Sequence, residues 1–118
     1  MLILSIIITL DDTKYGVTMA DKDYDSVLNE FKQAGASMRC ARVKKLLESL
    51  GFTVRDGGNG NHKIFGHSGI STFTTSNYDC GHGSNSEVKP IYIKKNIIKI
   101  LEAFEDEIKG FLIKDEGQ

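Results

Sequence analysis

Apolar positions recur along the chain at two spacings, and the switch between them marks out its elements. Tyr24, Val27, Leu28 and Phe31 fall three and four residues apart, so a helix is predicted over 22–35, capped by Asp21 or Asp23 and ended by Gly35. Ser37 then stands at an N-cap position, and Met38, Ala41, Val43, Leu46, Leu47 and Leu50 draw a second apolar stripe that stops at Gly51. Three short strands are expected next, over 52–55, 62–66 and 70–75. Gly57, Gly58, Asn59, Gly60 and Asn61 turn the first pair, because Gly and Asn tolerate positive φ, and a tight turn at His67, Ser68 and Gly69 joins the second. Alternation puts His62 and Ile64 on one face and Lys63 and Phe65 on the other, which leaves open which face is core.

Residues 76–89 are mostly polar and read as a long loop. Pro90 suits the first turn of a closing helix, on which Ile93, Ile97, Leu101, Phe104, Ile108 and Phe111 keep one face. The order is helix, helix, three strands, helix, an α+β chain with a three-stranded antiparallel sheet. Residues 1–10 are apolar but too short for a membrane span, which needs about 20 residues. That run is either a β-rich segment packed elsewhere or a stretch upstream of an alternative start at Met19.

Length and composition add limits. A chain of 118 residues suits one core, and 40% hydrophobic with 26% charged residues is ordinary for a soluble globular protein. Cys40 and Cys80 do not make a disulfide framework and are expected as free thiols in a reducing compartment. The net charge of −1 hides a division: residues 37–100 hold ten Lys and Arg against four acids, while both ends are acidic. A basic middle suits a polyanion such as RNA, although a solvated surface gives the same count.

Among the candidate residues His62 stands out, at the junction of a Gly/Asn loop with a strand. An imidazole gives or takes a proton near neutrality. A solvated histidine at a hairpin tip has the same sequence signature. Cys80 and His82, with His67 elsewhere, lack the paired spacing of a zinc site, so neither metal nor cofactor is expected.

Three stretches carry a resemblance: Leu46, Leu47, Glu48, Ser49, Leu50, Gly51 and Phe52; then Gly60, Asn61, His62, Lys63, Ile64 and Phe65; then His67. Together they resemble the HicA family of toxins from bacterial toxin–antitoxin pairs, over about residues 39–104. Asn61 stands where that family usually has Ser, Lys63 where a second His is common, and Ser68 where Pro is usual. The resemblance implies a dsRBD-like α-β-β-β-α fold, with the sheet packed on two helices and an extra N-terminal helix in front. It divides the chain into an extension (1–18), an added helix (19–36), an RNA-cleaving domain (37–112) and a tail (113–118). It further implies metal-independent cleavage of mRNA in the cytoplasm, growth arrest, and a HicB-like antitoxin as partner.

In that reading His62 is the catalytic acid or base, and Gly60, Asn61, Lys63, His67, Lys94 and Lys95 contact RNA. Lys63 and the loop amides would steady the charge on phosphorus. The alternative is a non-catalytic RNA-binding module on the same scaffold, and a third reading is a partner-binding domain that touches no nucleic acid.

Overall fold

The computed structural model describes residues 19–34, 37–58, 60–81, 83 and 85–116. The expectations for 1–18 and His82 lie outside the described residues. In order come α1 (Met19–Gln33), β1 (Met38–Arg39), α2 (Cys40–Ser49), β2 (Thr53–Asp56), β3 (His62–Gly66), β4 (Ser76–Asp79), β5 (Glu87–Val88), α3 (residues 90–103) and α4 (Glu105–Glu116). Strands β2, β3 and β4 form an antiparallel sheet in that order, and β1 pairs with β5 separately. The α+β class and the three-stranded antiparallel sheet match the expectation, with four helices among the described residues.

Register settles which face of the sheet is core. Val54 pairs with Phe65 and Lys63 with Tyr78, so these share one face. Phe65 and Tyr78 are fully buried there, with Phe52 and Phe73 edge-on or tilted against Phe65 at ring distances of 5.6 and 6.2 Å. His62, Ile64, Arg55, Asn77 and Asp79 therefore take the opposite, outer face.

Of the stripe, Val43, Leu46 and Leu47 are buried on α2 and Leu50 follows at the C-cap, whereas Ala41 is exposed and Met38 is buried from β1. Gly51 has φ +93° and lies under the Phe111 ring, so both its backbone and its lack of a Cβ are needed. Tyr24, Val27 and Phe31 of α1 enter the same core as the sheet residues. Helix α1 is locked further by the Tyr24 hydroxyl, which donates to the Leu101 carbonyl at 2.6 Å, and by Lys109 lying 5.0 Å from the Tyr24 ring centre.

Five expectations need correction. The first helix runs 19–33, not 22–35. Helix α2 starts at Cys40, because Met38 and Arg39 pair with Val88 and Glu87 and the Ser37 hydroxyl bonds Glu87 instead of capping. The third strand is Ser76–Asp79, not 70–75; Ile70 and Phe73 are buried from a turn, within a Thr-rich run that has strand propensity. With β4 and β5 inside it, 76–89 is not one long loop. The closing helix breaks at Phe104, where φ is −115° and ψ is 28°, so Leu112 is buried near its end while Phe104 and Phe111 are half-buried.

The cysteines were also misread. Cys40 and Cys80 form a disulfide, with Cα atoms 5.7 Å apart, because the α2 start and the β4 end converge beside β5. The link spans a sequence separation of 40 and closes a loop holding the whole three-stranded sheet. A loop of that length corresponds to about 4 kcal/mol of chain entropy. Reduction, or Cys40→Ser with Cys80→Ser, is thus expected to lower the urea midpoint markedly; an unchanged midpoint contradicts it. A second expectation concerns Tyr78, whose hydroxyl is buried without a hydrogen-bond partner among the described residues. Tyr78→Phe removes that desolvated group and is expected to raise stability by about 1 kcal/mol in urea unfolding.

Candidate functional site

The hairpin β2–β3 places His62 at the first position of β3. The Gly57 N–H donates to the His62 carbonyl at 2.7 Å and the Cys80 N–H donates to the Asn61 carbonyl at 2.7 Å, so His62 is pinned from both neighbouring strands. A Cβ on Gly57 would collide with Cδ2 of the His62 ring. Gly57 therefore serves as more than turn geometry: its bare Cα makes room for the imidazole across the sheet.

His62 lies opposite Asp79, and its Nδ1 bonds Asp79 Oδ1 at 2.6 Å. The Tyr92 hydroxyl, from the first turn of α3, donates to Asp79 Oδ2 at 2.9 Å. Hydrogen bonds from His62 and then Tyr92 hold the Asp79 carboxyl below the usual carboxylate range. The same bond to Asp79 raises the Tyr92 hydroxyl, so it keeps its proton and remains a donor. An ionised Asp79 only accepts, so Nδ1 of His62 carries the hydrogen. Hydrogen-bonded carboxylates orient catalytic histidines in this way on unrelated folds. The ring and the carboxylate are 36% and 47% exposed, so the pair is open to a ligand.

Helix α3 reaches this edge through a widened turn. Residues Ile93–Ile98 are π-helical, and the Asn96 side chain donates to the Asn77 carbonyl at 2.7 Å, on the strand that carries Asp79. Lys95 is exposed next to Asn96 on the helix. Lys94 points elsewhere, into a hollow between α1 and α3 lined by Phe31, Ala34 and Ile98.

The other sequence candidates separate. Gly60 is exposed in the loop, and Asn61 is held by its backbone beside Cys80. Lys63 lies on the face opposite His62 and pairs with Asp56, its cross-strand neighbour. That ion pair lowers the Asp56 carboxyl. His67 does not join the site. Its ring is 5% exposed between Phe52 and Phe111, its Nε2 bonds the Leu50 carbonyl at 2.9 Å, and its Nδ1 accepts from the Gly69 N–H at 3.1 Å. Both nitrogens serve the fold, tying the 67–69 turn to the end of α2.

Sequence reading missed Asp79 and Tyr92. Nothing local marks Asp79 as a partner of His62 17 residues away; only the strand register does so. No three His, Cys, Asp or Glu residues come together as a metal site among the described residues, and no described helix is long and apolar enough to cross a membrane.

The depressed Asp79 carboxyl gives a pH expectation. A lowered folded pKa stabilises above the unfolded value, about 3.9, and that contribution disappears as pH falls through the folded pKa. The stability difference between wild type and Asp79→Asn should thus be largest near neutrality and shrink as pH drops below about 4. Urea unfolding across that range checks it, and a difference independent of pH contradicts it.

Compared with protein-family models, curated proteins and solved structures, the chain matches none of them.

Proposed function

We propose that the chain is a metal-independent endoribonuclease, a toxin of the HicA type that cleaves mRNA. The observation that carries this reading is the hydrogen-bonded series Tyr92–Asp79–His62 on the open face of the sheet. A module that only bound RNA would need cations there, not an imidazole held in one tautomer by an ionised carboxylate. The order α2, β2, β3, β4, α3 is compatible with a dsRBD-like order of elements, a scaffold that reads RNA by shape and by phosphate and 2′-hydroxyl contacts.

RNA carries its own nucleophile. His62 Nε2 takes the proton of a 2′-hydroxyl, the 2′-oxygen attacks the adjacent phosphorus, and the bond from phosphorus to the 5′-oxygen breaks. The proton returns to that leaving oxygen, giving a 2′,3′-cyclic phosphate and a 5′-hydroxyl. Asp79 steadies the imidazolium formed midway, and Tyr92 keeps Asp79 in place. Lys95, exposed on the same helix, would supply a cation to the backbone of the strand. Lys63 has a smaller part than sequence suggests, being paired with Asp56 on the other face.

An acidic, HicB-like antitoxin covering His62 would silence such an enzyme, with charge complementarity to the basic middle speeding association. The Cys40–Cys80 disulfide closes the loop that carries His62 and Asp79, so activity should be assayed with and without reductant.

Replacing His62 by Ala is expected to cut the rate of RNA cleavage roughly 10²–10⁴-fold. Products are identified by end-group chemistry on a defined oligoribonucleotide. Wild-type cleavage by the variant sinks the catalytic assignment; RNA binding without any cleavage by the parent points to the non-catalytic module.

A further inference from the structure

Beside the His62–Asp79 pair is a cleft of about 230 Å³, lined by Asp79, Cys80, Gly81, Glu87, Lys89 and Tyr92. Val88 is fully buried, so strand alternation turns Glu87 and Lys89 the other way, side by side and roughly 7 Å apart. Glu87 is held in position. Its Oε1 accepts from the Ser37 hydroxyl at 2.6 Å, and Arg39, opposite it on β1, sends its guanidinium to Asn85 Oδ1 at 2.8 Å. Lys89 has no ion-pair partner among the described residues.

The charges select the ligand. Two carboxylates, Asp79 and Glu87, line the cleft with one ammonium, Lys89. The Arg39 guanidinium opposite Glu87 is turned to Asn85, so acceptors and donors stand side by side and no cluster of cations awaits a phosphate. A neutral ring with N–H donors on one edge and acceptors on the next fits both signs at once. Single-stranded RNA is recognised through such edges of unstacked bases.

We infer that this cleft is a nucleobase subsite and that it selects guanine. Glu87 accepts from the guanine N1–H and N2–H groups, an adjacent donor pair matched to a carboxylate. Lys89 donates to O6 or N7, a common cationic contact to that base. Tyr92, which also holds Asp79, borders the subsite and couples base binding to the His62 series. Adenine, cytosine and uracil each offer Glu87 a single donor group beside an acceptor for Lys89, so guanine alone fills both carboxylate oxygens with an adjacent pair of donors. The inference rests on the ribonuclease reading for its position next to a scissile bond, but base recognition is measurable without cleavage.

The test titrates GMP, AMP, CMP and UMP into the full chain by NMR, for wild type and Glu87→Gln, and sequences the cleavage sites on a mixed RNA. Wild type should bind GMP about tenfold or more tightly than the others, with shifts at Gly81, Glu87, Lys89 and Tyr92. Glu87→Gln, folded by its melting curve, should bring GMP within about threefold of AMP, since an amide presents a donor to one guanine N–H. Equal binding of the four nucleotides by wild type overturns the subsite, as does a guanine preference that survives Glu87→Gln. Guanine binding without RNA cleavage supports the subsite and removes the ribonuclease reading. Cleavage with no base preference in either assay does the reverse.

Discussion

Phe65 is fully buried with Phe52, Phe73 and Tyr78 around it, and this burial fixes the handedness of everything on β3. Because side chains alternate across a strand, one buried aromatic commits His62 and Ile64 to the other side. A slip of one residue would bury the imidazole and expose the phenyl ring. At about 25 cal/mol per Å² of apolar surface, the aromatic cluster outweighs any single polar bond at the sheet rim. The site is thus a by-product of core packing: the residues free to do chemistry are those the core rejects.

The polar series on the outer face depends on three separated segments. His62 comes from a hairpin, Asp79 from the next strand and Tyr92 from a helix that begins after β5. Each bond in the series crosses between elements, so it reports tertiary structure and no local motif. The glycine at 57 belongs to the same set, since its missing side chain is what the imidazole occupies.

Much of the fold was legible because it is periodic. The stripe on α2, the bounds of β3 and the apolar face of α3 through Leu101 follow from spacing alone. The errors arise where two physical causes give one pattern. Ile70 and Phe73 are buried from a turn whose threonines have the propensity of a strand, and Ser76–Asp79, a true strand, has a single apolar side chain, Tyr78. His62 was readable from its glycines, whereas His67, equally polar in sequence, turns out to lie between two aromatic rings. The cysteine pair was missed because convergence of the α2 start with the β4 end depends on β5, too short to be seen as a strand.

The π-helical turn at Ile93–Ile98 gears two requirements that ordinary α geometry would set against each other. Tyr92 before the turn and Asn96 within it must face β4; downstream, Leu101 must face the core. A π turn takes in one residue more than an α turn, so it shifts the phase of the helix between these two contacts. Chain length through 93–98 is therefore coded as tightly as residue identity. Regular α geometry over the same residues would leave their hydrophobicity unchanged, yet rotate Tyr92 by about 100° relative to Leu101.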